Sequence, residues 1–281
     1  APTTISTKTT NCETWTRNSK NITLTLINSY AVSEYSPFIV IRNATDWHKF
    51  AVMINDAVNQ YDVNAVLDAD IEVSEHVGVT EGATFRGTFD GNGHTLTFNK
   101  EWKPATEERF IAPFRHASNA TIRNLHVAGT IESNWMYPAG LVAQVKDGTV
   151  TIENCISSVT LKGGMNGDGT LAGFVGRVSN SNVTIHDCKF DGSFEGANCY
   201  GNGGFISWVD EKSSATIENC LFAPTKISTK YDKCKSWARQ DSRGTVTVTN
   251  CHSTLDYGVF PIKNGTDWNT FVKMVEDAKN D

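Results

Sequence analysis

The chain has 281 residues, 39% hydrophobic and 20% charged, so it can bury a core and is not composed like a disordered segment. Its formal net charge of −6 argues against a binder of nucleic-acid backbones, which needs clustered Lys and Arg. No run of about 18 apolar residues occurs, so no membrane-spanning helix is expected. The sequence opens at Ala1 without Met or a signal peptide, and reads as a piece of something longer. Abundant Thr, Ser and Asn suit an extracellular protein, secreted or attached to a cell wall.

The first residues return near the other end. "APTTISTK" at 1–8 reappears as "APTKISTK" at 223–230, and "CETWTR" at 12–17 as "CKSWAR" at 234–239, both 222 residues on. "NATDWHKF" at 43–50 reappears as "NGTDWNTF" at 264–271, 221 residues on. Residues 1–60 and 223–281 are therefore copies, and the chain is about one and a quarter units of a tandem array. The expected division is 1–40 as the last coil of a preceding unit, 41–261 as a complete helix-capped unit, and 262–281 as the capping helix that begins the next. Direct arrays of this kind suit adhesins, stalks and scaffolds better than enzymes.

After Thr45, read as an N-cap, Trp47, Phe50, Ala51, Ile54 and Ala57 fall on one helix face. Trp268, Phe271, Val272 and Val275 repeat the stripe. "LDADIEV" at 67–73 alternates, placing Asp68, Asp70 and Glu72 on one strand face. Paired carboxylates are the machinery of glycosidases. No acidic column follows in the later repeats, however, and Asp168 and Asp191 read as turn residues, so catalysis is not expected. In "DGNGHTLTFNKE" at 90–101, Asp90, Asn92 and Glu101 occupy three positions of a calcium loop. His94 and Thr95 break the pattern where a ligand and a Gly are needed, so a turn into a strand is the preferred reading and no metal or other cofactor is expected.

From residue 121 a shorter period takes over. "TIRNL" at 121, "TIENC" at 151, "TIHDC" at 184, "TIENC" at 216 and "TVTNC" at 247 step by 30, 33, 32 and 31 residues. "AGLVAQV" at 139, "AGFVGRV" at 172 and "GGFISWV" at 203 step by 33 and 31. Such a unit has room for three short strands and three bends, with Val150, Ile152 and Ile156 marking the apolar spacing. Stacked units make a parallel β-helix with strands about 4.8 Å apart. The fold class expected is thus all-β, a solenoid with short capping α-helices. A helix laid across an open end would cover its strand edges and bare core.

Stacking aligns Asn124, Asn154, Asp187, Asn219 and Asn250 in one column, and Asn28 and Asn99 are expected in similar ones. Asn and Asp tolerate the left-handed backbone of a sharp bend, and stacked amides can hydrogen-bond along the column. Beside them run Leu125, Cys155, Cys188, Cys220 and Cys251. Leu in the first coil says the slot takes a small or medium apolar side chain, which free Cys is. Zinc sites need close-set Cys pairs or a His cluster, and these Cys lie a coil apart. "TIENC" is therefore read as a bend plus a core rung. Cys12 and Cys234 are repeat equivalents, and Cys199 lies 35 residues before Cys234. A Cys199–Cys234 disulfide is expected, leaving Cys12 unpaired. The alternative is seven free thiols.

"FRGTFDGNGHTLTFN" at 85–99, after the "TDWHKF" helix and "LDADIEV", resembles the GLUG-motif family of bacterial surface proteins. "AGLVAQV" and "AGFVGRV" are similar to that family's phrase, and "TIENC" to its following strand. The resemblance covers roughly residues 41–255 and implies a right-handed parallel β-helix, secreted or wall-attached, with adhesive or matrix roles and no shared catalytic residues. The Cys column and the long duplication depart from the family.

Trp135 and Tyr137 in "NWMYPAG", Tyr200 in "NCYGNGG" and Tyr231 in "KYDKCKSW" each precede the recurring strand phrase. In a coil stack these loops project from one edge, where aromatic faces can stack on sugar rings or a protein. The alternative is that they pack over the loops and shield the stack. Trp208 is read as outward, Trp15 and Trp237 as structural. The expected function is a non-catalytic unit of a bacterial adhesin or stalk, with a glycan, a host surface protein and neighbouring repeat units as partners. The alternative is a carbohydrate-active or carbohydrate-binding accessory module of a larger secreted enzyme.

Overall fold

The computed structural model describes residues 38–56, 62–101, 109–163, 170–196, 202–229, 235–239 and 241–254. Apart from one helix the described chain is strand and turn, wound as a parallel β-solenoid. Thr149–Glu153 pairs in parallel with Asn182–His186, that strand with Ser214–Glu218, and that one with Thr245–Thr249. Matching repeat positions meet in register: Ile152 faces Ile185, and Ile185 faces Ile217.

Each full coil has four strand segments rather than three. One coil runs through Val142–Lys146, Thr149–Glu153, Ile156–Ser157 and Thr160–Gly163. The first two belong to one 11-stranded sheet, the third to a 7-stranded sheet and the fourth to a 4-stranded sheet. In an earlier coil the first two are a single ten-residue strand, Phe114–Arg123. The extra bend has its own column of left-handed residues: Asn119 (φ 49°), Asp147 (φ 54°) and Asn180 (φ 49°). Asn180 Nδ2 donates to Asp147 Oδ1 at 2.8 Å.

The next corner carries Asn124, Asn154, Asp187, Asn219 and Asn250, with φ of 51°, 50°, 55°, 53° and 51°. Short polar side chains are the non-glycine residues that bear this conformation at least cost. Asn99 does not share it. Its Oδ1 accepts from Thr130 N at 2.9 Å and its amide donates to Glu72. The left-handed Asn of that coil is Asn92 (φ 53°). Asn28 lies outside the described residues.

The corner also shifts the in–out phase. Ile152 and Cys155 both point inward although three residues apart, so Ser157 is buried and Ile156 is half-exposed. Ile156 therefore does not continue the core run of Val150 and Ile152. Leu125, Cys155, Cys188 and Cys220 are all buried, and Cys251 in the last described coil is half-buried.

The recurring "AGFV" phrase has a packing reason. A Cβ on Gly173 would stand 2.5 Å from the Phe190 ring and 2.3 Å from Gly204 O. Phe190 stacks on Phe222 at 5.4 Å and on Phe194 at 4.8 Å, so only glycine lets the opposing strand approach this aromatic core.

The helix Ala44–Asn55 closes one end of the stack. Its N-cap is Asn43 rather than Thr45: Asn43 Oδ1 accepts from Asp46 N at 3.0 Å, which leaves Thr45 inside the first turn. Trp47, Phe50, Ala51, Met53 and Ile54 are buried; Ala57 lies outside the described residues. Trp47 makes edge contacts with Phe50, Phe89 and Phe114 at 5.8–5.9 Å, and its indole N–H donates to Glu75 O. Each such ring contributes about 1.5–3 kcal/mol through burial. The preceding strand, Ile39–Ile41, pairs with Ala65–Leu67 and so crosses residue 40, where the sequence division was placed. The helix expected at 262–281 lies outside the described residues.

Candidate functional site

The carboxylates of "LDADIEV" do not form a pair. The chain turns between the strands Ala65–Leu67 and Ile71–Val73, so Asp68 and Asp70 sit at a corner rather than on one strand face. Asp68 pairs with Arg42 at 2.9 Å, and Glu72 accepts from Asn99. Asp70 accepts from Thr95 N at 2.8 Å and faces His94 at 3.2 Å. The Thr95 N–H first, then His94, hold the Asp70 carboxyl below its ordinary range. Asp90 is occupied by Arg123, Asn124 and its own turn through Asn92 N, and Thr95–Phe98 is a strand.

The loop aromatics divide. Tyr200 and Tyr231 lie outside the described residues, as do Cys199, Cys234 and Cys12. Trp135 and Tyr137 are both half-buried. Arg109 lies 5.2 Å from the centre of the Trp135 ring. Tyr137 stacks on Phe110 at 5.4 Å and 13°, and the Arg177 guanidinium lies 5.6 Å from its ring. Both rings thus lie against neighbouring side chains of the described chain. Trp208 is half-buried, donating to Asp210 at 2.8 Å with Arg239 5.0 Å from its ring. Trp237 packs on Phe205 and Phe222.

A different surface offers open space. Along the outer face of the 7-stranded sheet runs a groove of about 670 Å³. Its exposed apolar lining is the half-buried Ile156, and it is bordered by Asn92, Asn124 and Asn154 of the corner column and by His126, Ser158, Lys189 and Asp191 of the strands that follow. The phase shift at the Asn corner positions these residues: alternate residues after the corner face outward.

Four coils contribute to one line of hydrogen bonds. Thr95 Oγ1 meets His126 Nδ1 at 3.3 Å, and His126 Nε2 meets Ser158 Oγ at 2.8 Å. Ser158 Oγ donates to Asp191 Oδ1 at 2.5 Å, and Lys189 Nζ pairs with Asp191 Oδ2 at 2.8 Å. An ionised carboxylate only accepts, so the Ser158 proton points at Asp191. His126 Nε2 must then carry a proton and donate it to Ser158, with Thr95 donating to Nδ1. A serine nucleophile needs the reverse, an imidazole lone pair facing its hydroxyl. The line thus fixes donors and acceptors in place and activates none of them. Asp191 is the one carboxylate among the groove's described lining residues, where glycoside hydrolysis takes two.

Sequence reading missed the groove, because its phase is set by the bends. The signal was the outward residues that follow each Asn or Asp of the column: His126, Ser158, Lys189 and Asp191.

Among the described residues no group of three or more His, Cys, Asp or Glu side chains is placed to hold a metal ion, and no helix is long and apolar enough to cross a membrane. No protein-family model matches the sequence, and no curated protein does either. A crystal structure from Bacteroides ovatus, described as a "putative immunoglobulin A1 protease", is similar in fold, with a TM-score of 0.52 over 79% of this chain and 76% of that chain. The two sequences are 14% identical, so the likeness shows a shared fold alone.

Proposed function

We propose that this chain is a non-catalytic repeat unit of a secreted or cell-surface bacterial stalk or adhesin of the GLUG-motif kind, whose units join end to end into a stiff rod. The observation that carries the reading is where apolar surface remains exposed. Among the described residues the large apolar side chains left in solvent are Val40 (36% exposed), Val52 (38%) and Val248 (39%). Val40 and Val52 belong to the first strand and its helix, Val248 to the last described strand. Val248 continues the column of Ile122, Ile152, Ile185 and Ile217, each fully buried. The core thus runs to the edge of the last described coil. The sequence then continues into a copy of the first strand and helix, residues 260–276 matching 39–55 at the 221-residue offset.

A rod of parallel-paired coils resists bending and carries a binding surface away from its point of attachment. The partners proposed are neighbouring units of the same protein and a glycan or host surface protein. The groove supports a binding role over a catalytic one, since its hydrogen-bond line is oriented against nucleophile activation.

The test is a two-unit chain, residues 1–222 fused ahead of 1–281, which keeps the natural junction because 223–230 copies 1–8. Its urea unfolding is compared with that of the 281-residue chain. Docked units unfold together at a higher midpoint and with a larger m-value. Two units that unfold independently at the single-unit midpoint contradict the rod.

A further inference from the structure

We propose that the groove along the outer face of the 7-stranded sheet binds a neutral, linear oligosaccharide lying parallel to the solenoid axis. The inference deepens the adhesin reading by giving it a ligand class and an address other than the loop aromatics. Three features of the groove select this ligand.

The first is its polarity. Asn154, His126, Ser158, Lys189 and Asp191 present fixed amide, imidazole, hydroxyl, ammonium and carboxylate groups around the half-buried Ile156. Neighbouring sugar hydroxyls, each both donor and acceptor, suit such alternation, and the Ile156 side chain suits the C–H face of a ring. Asn154 in particular keeps an acceptor for a ligand. Its amide donates to Asn124, but Asp187 in the next coil has no N–H to return to Asn154 Oδ1.

The second is its charge. Lys189 is neutralised by Asp191 within the groove, so neither an acidic nor a basic polymer gains there. The third is its direction. Residues 92–95, 124–126, 154–158 and 189–191 come from four successive coils, at about 4.8 Å per coil. The groove therefore offers a corner amide at a fixed step, from Asn92, Asn124 and Asn154, to a chain that itself repeats. A peptide adding as a strand is not accommodated, because both edges of the Ile156–Ser157 strand are taken by the coils on either side.

The test uses the 281-residue chain on an array of neutral and acidic glycans, with affinities for the hits measured by calorimetry. Three forms are compared: wild type, Ser158→Ala/Asp191→Ala, and Trp135→Ala/Tyr137→Ala. Both changes in the first variant are half-exposed positions, and unfolding midpoints verify that each variant is folded. Binding to linear neutral glycans, weakened at least tenfold in the groove variant and unchanged in the loop variant, is the expected result. Binding lost only in the loop variant overturns the groove while leaving a glycan-binding adhesin. Binding confined to acidic glycans, or absent throughout, overturns the proposal. The rod reading stands or falls separately, on the two-unit chain.

Discussion

Asn154 donates its side-chain amide to Asn124 Oδ1 at 2.8 Å across one coil, and Asn250 does the same to Asn219. Between these two pieces stands Asp187, which has no amide and turns instead to His186 Nδ1 at 2.8 Å. The column thus serves two purposes, bearing a left-handed bend and linking coils. Asn154→Ala removes both, at about 1–2 kcal/mol for the bend and about 1 kcal/mol for the bond. Asn154→Gly removes the bond alone. Urea unfolding should show the Ala variant losing about 2–3 kcal/mol and the Gly variant about 1. Equal losses would mean that the backbone angle does not govern this corner.

The thiol column should be inert until the protein opens. Burial first, with its Cys neighbours, pushes the Cys188 thiol well above its ordinary value. A thiol reagent under native conditions should reach Cys251 before Cys155, Cys188 or Cys220, read by mass spectrometry of the labelled peptides. Leu125 fits the slot because Gly91 lies beside it, a Cβ there standing 2.7 Å from the Leu125 Cβ. Cys188 has cysteines in the coils on both sides, so Cys188→Leu should overpack and cost about 1–3 kcal/mol. An unfolding midpoint equal to wild type would show the slot to be looser than described.

The stack should weaken in acid through His116. Burial, then the neighbouring Arg115 charge, push this imidazole down to about 4 from an ordinary 6.5. Between those values the unfolded chain binds the proton that the folded chain refuses, so stability falls as pH drops from about 6.5 to about 4. The full loss is roughly 3 kcal/mol. His186 acts in the opposite sense: the hydrogen bond to Asp187, against some burial, raises it, with Glu153 adding charge. Its contribution is present below the unfolded value and disappears as pH rises through the folded one. His186 is more exposed than His116, so the His116 loss should dominate. Unfolding free energies at pH 4.5 and 7.5 should differ strongly in wild type and much less in His116→Gln. An unchanged difference in the variant would assign the acid sensitivity elsewhere.

The capping helix should be worth more through its rings than through its terminus. Trp47→Ala uncovers Phe89 and Phe114 and should cost about 3–5 kcal/mol. Asn43→Ala removes one side-chain cap and should cost about 1 kcal/mol. Thermal or urea unfolding of both variants checks the order, and the reverse order would contradict the cap as described.

The solenoid was legible in the sequence because coils stack in register, so each core and corner position recurs as a letter. Asn154, Cys155 and the glycine of "AGFV" show themselves that way. The second corner at Asn119, Asp147 and Asn180 stayed hidden, because its residues vary and in one coil it lies inside an unbroken strand, Phe114–Arg123. Asp68, Asp70 and Glu72 misled for a related reason: alternation implies a shared face only where the strand is continuous, and here it turns. The groove was hidden by the phase shift at the Asn corner, which sends Ser157 inward and Ser158 outward from adjacent, identical letters.

The central claim is that units continue one another as a rod, and small-angle X-ray scattering of the two-unit chain addresses it most directly. Docked units predict the cross-section of the single chain with close to twice its length, in one rigid distribution of distances. Two compact bodies at variable separation, joined by a flexible segment, would contradict the account.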